Sequence, residues 1–326
     1  MKELKHKIFS QVENDLEKIE TALKENLGAH LEVVTQSASH ILFSGGKRLR
    51  PLLMVLAARL CNYKGDLDYT FSTVFEYLHV ATLLHDDIVD EADLRRKKPV
   101  ANSIWGNATA VLTGDFLLAR SLSIGTKTGK LEVISVISEI TENMSQGEIH
   151  QLMKKGDITL SEAEYMDVIR RKTAVLLQGA CQIGAIIADV DKKKEAALAN
   201  YGLHMGYAFQ MADDLLDYTS DTESLGKKVG ADLREGKMTL PLISALQKAD
   251  EKDRQYMINV IEDKNFSEDD FDQLVRLLDK YDGIAYTRKQ ALFHIDTAKK
   301  ELEIFDSCPA RNILFDIADY VIERKV

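Results

Sequence analysis

The sequence predicts an all-α protein, a single-domain bundle of long helices over residues 1–326, and three observations predict it. The chain has 4 prolines, Pro51, Pro99, Pro241 and Pro309, with none between Pro99 and Pro241, so long helices can run without the kink a proline imposes. Apolar residues recur at helical spacing through most of the chain. Alternating apolar and polar runs bounded by turns, the mark of a strand, are almost absent.

The first clear element covers residues 71–89, where Phe71, Val74, Phe75, Leu78, Ala81, Thr82, Leu84, Ile88 and Val89 form a wide apolar face, as in a helix buried inside a bundle. The same periodicity predicts helices over 131–152, 165–188, 198–218 and 271–305. Gly and polar clusters at 62–65, 125–129, 154–157 and 189–194 separate them as short turns. The longest irregular stretch, 220–237, is rich in Gly, Lys and Asp, and long loops of that kind tend to carry function. No Pro/Gly/Ser-rich linker divides the chain, so one domain is expected.

Composition narrows the function. The chain carries 42 Lys+Arg against 52 Asp+Glu, a net charge of −10, which argues against a nucleic-acid binder. Its 45% apolar and 29% charged residues are ordinary globular usage. Cys61, Cys181 and Cys308 are odd in number, far apart and without metal-ligand spacing, as expected of reduced thiols in a cytoplasmic chain. No apolar run approaches the roughly 18 residues needed to span a bilayer, and the charged N-terminus lacks a signal-peptide core.

The informative feature is a repeated motif. Asp86, Asp87 and Asp90 form Asp-Asp-x-x-Asp, and Asp213, Asp214 and Asp217 form it again. Residues four apart share a helix face, so Asp86 with Asp90, and Asp213 with Asp217, are like-charged pairs that repel. Each copy ends an apolar helix, where desolvation worsens the repulsion unless cations bind between the carboxylates. Oxygen-only donors favour a hard ion such as Mg²⁺, several per site, which keeps waters and bridges to substrate phosphates. A calcium loop does not fit, since residues 213–223 lack its turn glycine and oxygen spacing.

Cations complete the pattern. Gly45-Gly46-Lys47-Arg48-Leu49-Arg50 puts a flexible pair before three positive charges, suited to phosphate oxygens. Arg95 and Arg96 follow the first motif, and planar guanidinium groups suit bidentate phosphate contact. Lys172 and Thr173, Gly226-Lys227-Lys228 and Gly236-Lys237 supply further donors.

These residues resemble, in order and along nearly the whole chain, the trans-isoprenyl diphosphate synthases, above all the long-chain polyprenyl class. The shared motifs are Gly45-Gly46-Lys47-Arg48-x-Arg50-Pro51, His79 with Leu84-His85-Asp86-Asp87-x-x-Asp90, Arg95-Arg96, Gly114-Asp115, Gln146-Gly147-Glu148, Lys172-Thr173, Phe209-Gln210-x-x-Asp213-Asp214-x-x-Asp217, and the segment from Gly226-Lys227 through Asp232 to Pro241. Lys97 replaces a frequent Gly and Lys228 a frequent Pro.

The resemblance implies helices around a deep central cavity with the aspartate motifs facing each other across its mouth. It implies Mg²⁺ on Asp86, Asp90 and Asp213, with support from Asp87, Asp214 and Asp217. It puts the allylic diphosphate on Arg95, Lys172, Thr173, Gln210 and Lys227, and isopentenyl diphosphate on Lys47, Arg50, His79 and Arg96. The implied activity is Mg²⁺-dependent condensation of an allylic prenyl diphosphate with successive isopentenyl diphosphates, giving an all-trans product of thirty carbons or more. A shorter-chain synthase, a terpene cyclase and a non-catalytic subunit are the alternatives, as are a homodimer and a pairing with a small dissimilar subunit. Counting back four, five and eight residues from Asp86 gives Thr82, Ala81 and Leu78 as the chain-length wall, two of them small where short-chain members carry rings.

Overall fold

The structure is a computed structural model and describes residues 2–96, 98–219, 230–263 and 265–323. The chain starts with α1 (Lys2–Asn26), α2 (Glu32–Leu42), α3 (Leu49–Leu60) and α4 (Asp68–Val89). A short hairpin follows, β1 (Leu94–Arg95) antiparallel to β2 (Lys98–Pro99), with Leu94 opposite Pro99. Then come α5 (Ala101–Trp105), α6 (Asn107–Thr126), α7 (Leu131–Met153) and α8 (Glu162–Ile169). A π-helical segment (Arg170–Ala174) leads into α9 (Val175–Ile187) and the long α10 (Lys192–Thr219). The C-terminal part is α11 (Ala231–Arg234), α12 (Leu240–Lys248), α13 (Glu251–Glu262), α14 (Glu268–Lys280), α15 (Gly283–Glu301) and α16 (Pro309–Glu323). The all-α class expected from the periodicity is what is found, and no helix among the described residues is long and apolar enough to cross a membrane.

Apolar faces decide the packing. One buried cluster joins α1, α3, α4, α6, α7, α9, α16 and the first half of α10 through residues such as Leu23, Leu53, Phe75, Leu117, Ile137, Leu177 and Tyr201. A second joins α8 and α12 to α15 with the end of α10 through Tyr165, Met211, Tyr218, Leu242, Leu274 and Leu278. α10 belongs to both, which fixes the second aspartate motif at their junction.

A polar knot fixes the N-terminal helices against each other. Arg48, in the left-handed region at φ 49°, is buried, and its guanidinium reaches Glu20 of α1 at 2.5 Å, Glu76 of α4 at 2.7 Å and the Leu42 carbonyl ending α2 at 2.6 Å. A buried charge needs such partners, and removing one of them costs about 3–5 kcal/mol.

Two expected helices differ in detail. The continuous helix over 271–305 is broken at Asp282, which takes φ 57°. There Gly283 passes so close to α12 that a Cβ on it would lie 2.3 Å from the Pro241 carbonyl. Apolar spacing continues on both sides of the break, so periodicity cannot report it. The helix over 165–188 carries the π-helical turn, an extra residue that re-aims the side chains after it. That turn is squeezed between neighbours: a Cβ on Gly147 of α7 would lie 2.9 Å from the Lys172 backbone N, and one on Gly206 of α10 would lie 2.4 Å from the Ala174 Cα.

Gly206→Ala is therefore expected to destabilise the protein by about 1–3 kcal/mol, the usual range for overpacking against backbone that cannot yield. Chemical unfolding followed by circular dichroism measures it; an unchanged midpoint would show that α10 can move off the π-helical segment freely.

Candidate active site

α4, α6, α7, the π-helical segment, α9 and α10 enclose a cavity of about 460 Å³. Its walls are apolar, with Leu78 and Leu83 from α4, Leu118 from α6, Met144 from α7, Leu176 from α9 and Phe209 from α10. Asp86 from the first motif and Asp213 from the second both line it. The helical bundle thus brings together two carboxylates that stand far apart in sequence.

Burial pushes the Asp86 carboxyl up to about 6, and the charges of Glu148 and Asp90 add to the shift while Lys172 and Arg95 oppose it. A carboxylate that its surroundings make costly to ionise gains most from a divalent cation, and the motif side chains offer carboxylate oxygens, donors of the hard type. Asp86, Asp90 and Asp213 therefore fit a hard divalent ion. Among the described residues no three ligand side chains converge on one point. An ion that keeps waters and shares substrate phosphates does not need a complete protein cage.

The other motif aspartates face into the protein. Asp87 is buried and bound by Arg95, whose Nε donates to Oδ1 at 2.6 Å while its terminal nitrogen pairs with the same oxygen at 2.6 Å. Asp214 is buried, accepting from the Tyr165 hydroxyl at 2.6 Å and from Gln210 Nε2 at 2.8 Å. Asp217 is buried and accepts the backbone N–H groups of Ala231 and Asp232 at 3.2 and 3.1 Å, holding the start of α11. These three are supports, and Arg95 faces one of them where a diphosphate contact is expected.

The cations divide in the same way. Lys172 lines the cavity, paired with Glu148 of α7. Thr173 and Gln210 line it too, with the Thr173 hydroxyl donating to Gln210 Oε1 at 2.8 Å, so a chain runs from Thr173 through Gln210 and Asp214 to Tyr165. Arg50 and His79 line the cavity as well. Burial holds His79 well below the ordinary imidazole range, and the charges of Arg50, Arg96, Arg95 and Arg48 push the same way, so the ring is neutral at physiological pH.

Lys47 departs from its expected place. Its ammonium sits 5.1 Å from the centre of the Tyr320 ring, among residues of α1, α3 and α16 outside the cavity. Arg96, at φ 53°, donates to the Gly45 carbonyl and so closes the glycine turn. Lys227 falls outside the described residues, as do Gly226, Lys228 and Lys97.

The three residues named for the chain-length wall divide. Ala81 is fully buried in the core and does not line the cavity, whereas Leu78 and Thr82 do. Five residues back along a helix lie about 140° around it, while four back return to nearly the same face. Sequence reasoning also gave no role to Glu148, although the Gln146-Gly147-Glu148 motif signalled it.

The Asp86 shift has a consequence for stability. With its folded value raised from 3.8 to about 6, the stability that the protonated carboxyl contributes is full below 3.8 and is lost as pH rises through about 6. Metal-free Asp86→Asn is therefore expected to melt higher than the unaltered protein at pH 8, with the difference closing as the pH falls from about 6 to 3.8. Thermal scans in a chelator measure this; equal melting temperatures at pH 8 would contradict the half-buried carboxylate held above its ordinary range.

Comparison with known proteins agrees with this architecture. The polyprenyl synthetase family model matches residues 31–278. Octaprenyl diphosphate synthase of Escherichia coli (strain K12) is 38% identical over 318 residues, 98% of each chain. A decaprenyl diphosphate synthase from Rhodobacter capsulatus superposes with a TM-score of 0.92 at 37% identity, covering 98% of this chain and 99% of that one. A polyprenyl synthase from Caulobacter crescentus CB15, crystallised with calcium and isoprenyl diphosphate, does so at 0.91 and 37% identity, over 98% and 97%. With two aspartate motifs turned into one apolar cavity inside a fold shared along its whole length, the chain belongs to the polyprenyl synthetase family.

Proposed function

We propose that this transferase condenses an allylic prenyl diphosphate with successive isopentenyl diphosphates, releasing a long all-trans polyprenyl diphosphate. The observation that carries this reading is the pairing of Asp86 and Asp213 in one apolar cavity that also holds Lys172, Thr173 and Gln210 for one diphosphate and Arg50 and His79 for a second. Two cationic sets fit two diphosphate substrates.

Magnesium held by Asp86, Asp90 and Asp213 would neutralise charge growing on the departing diphosphate. The chain's own residues do the rest. Lys172 turns from Glu148 to the allylic diphosphate, and the hydrogen-bonded Thr173 and Gln210 fix its orientation. Arg50 binds the isopentenyl diphosphate, and neutral His79 adds a hydrogen bond without competing with the surrounding guanidinium charges.

The allylic cation forms against walls that exclude water. Even the polar wall residues are quieted: Thr82 donates to the His79 carbonyl at 2.8 Å, Thr141 to that of Ile137 at 2.9 Å and Ser145 to that of Thr141 at 3.0 Å. Their hydroxyl protons are tied to their own helices. The isopentenyl double bond attacks the cation, and the proton then lost passes to the released diphosphate.

A partner chain, most simply a second copy, would cover the apolar face of α5 and α6, where Leu112 is 65% and Ile104 47% exposed. Product length depends on the depth of the cavity beside α4.

Incubation with labelled isopentenyl diphosphate, farnesyl diphosphate and Mg²⁺, followed by chromatography of the products, tests the reading. The expected label is in all-trans chains of thirty carbons or more; no incorporation, or cyclic hydrocarbon made without isopentenyl diphosphate, would overturn it. Thr82→Phe is expected to shorten the main product to fifteen or twenty carbons with turnover retained, because a ring there enters the cavity one helical turn from Asp86. Ala81→Phe would instead strain the core, and its unfolding midpoint rather than its product pattern is expected to respond.

A further inference from the structure

The turn after α7 is anchored more firmly than a surface turn requires. Lys154 Nζ pairs with Asp157 at 3.0 Å and with Glu164 at 2.9 Å. Asp157 in turn accepts the Thr159 backbone N–H at 2.9 Å, and Glu164 closes a capping box with Ser161 at the start of α8. Gly156, at φ 74°, donates its N–H to the Gly236 carbonyl at 2.8 Å, so the turn is zipped to the segment that carries Lys237. A Cβ on Gly236 would lie 3.7 Å from Lys155 Cβ, which leaves the two backbones in direct apposition.

This anchoring presents Lys155 at a fixed place. Its ammonium lies 3.2 Å from Asp90 Oδ1, in a pair whose side chains are 30% and 17% exposed. Lys237 brings a second ammonium to the same side: Asp232 and Glu235 hold it charged, and the Asp90 charge does so too. Asp86, one turn earlier on α4, has Lys172 and Glu148 on its side instead. The two outer carboxylates of the first motif are thus matched to different cations from different elements.

An ammonium and a divalent ion cannot both sit on one carboxylate oxygen without strong mutual repulsion. We propose that Lys155 is the resident counter-ion of Asp90, which yields that carboxylate to the metal and takes a diphosphate oxygen in exchange, so that metal and diphosphate bind together. The inference rests on Asp90 being a metal ligand, as assigned above. In the free protein the ammonium screens Asp90 from Asp86 and keeps the mouth from binding metal alone. Once a diphosphate arrives, it brings the negative charge to which the ammonium can turn, and Asp90 becomes available in the same step. A lysine suits this exchange because it is a compact point charge on a flexible stem, free to change partners without the fixed fork of an arginine. The rigid turn sets where the stem starts; the stem itself does the moving.

The test is Mn²⁺ binding to the full chain followed by electron paramagnetic resonance, without and with the unreactive thio-analogue of farnesyl diphosphate. Without the analogue, Lys155→Gln is expected to bind Mn²⁺ about two- to fivefold more tightly than the unaltered protein, the range a partly exposed ion pair supports. With the analogue that advantage disappears, and Lys155→Arg, which keeps the charge, matches the unaltered protein without the analogue. An unchanged or weaker Mn²⁺ affinity in Lys155→Gln, together with loss of affinity in Asp90→Asn, would overturn the exchange while leaving Asp90 a ligand. Normal Mn²⁺ binding in Asp90→Asn would remove the ligand assignment itself.

Discussion

The working end of the molecule depends on how closely α7 and α10 hold the π-helical segment between them. Gly147 and Gly206 are the contact points, each so near the segment's backbone that a single added methyl carbon would fall within 3 Å of it. A π turn adds one residue to a helical register and so rotates the residues after it by about 100°. Here it lets Lys172 and Thr173 face the cavity while α8 before it and α9 after it remain in the two hydrophobic clusters. The Thr173–Gln210–Asp214–Tyr165 chain then locks the segment to α10 and α8. Lys172 and Thr173 in the cavity wall and the helix that carries the second aspartate motif are thus positioned by one set of contacts.

The same economy governs the charges. Half of the motif aspartates are buried supports: Asp87 on Arg95, Asp214 on Tyr165 and Gln210, Asp217 on the backbone of Ala231 and Asp232. Each has protein partners, yet Asp87 Oδ2 accepts no hydrogen bond among the described residues, and burial still raises the Asp87 carboxyl and pushes that of Asp214 up to about 7. Asp86 differs in lining the cavity, where burial and the charges of Glu148 and Asp90 raise its carboxyl against Lys172 and Arg95. Arg48 plays the corresponding part among the cations, satisfied by Glu20, Glu76 and the Leu42 carbonyl, which leaves Arg50 as the cavity-facing member of its cluster.

Much of this was legible in the sequence. Helical periodicity located α4, α7 and α10, and the repeated aspartate motif led to Asp86 and Asp213 on one cavity. The features that escaped it depend on distances between elements. Lys47 and Arg50 belong to one short motif, yet one leans on Tyr320 and the other lines the cavity, because Lys47 lies before α3 and the backbone is redirected at the left-handed Arg48 between them. Ala81 and Thr82 are adjacent and similar in size, but only Thr82 shares a face with Asp86. The π turn and the break at Asp282 answer to close backbone approaches at Gly206 and Gly283, which leave no trace in apolar spacing.

A crystal structure of the protein with Mg²⁺, isopentenyl diphosphate and the thio-analogue of farnesyl diphosphate tests the central claim most directly. The account predicts metal between Asp86 and Asp213, with the supports Asp87, Asp214 and Asp217 still on their protein partners, and the prenyl tail running beside Leu78 and Thr82 toward Leu118. Metal on Asp87 or Asp217, or a tail leaving the cavity on the Ala81 side of α4, would contradict it.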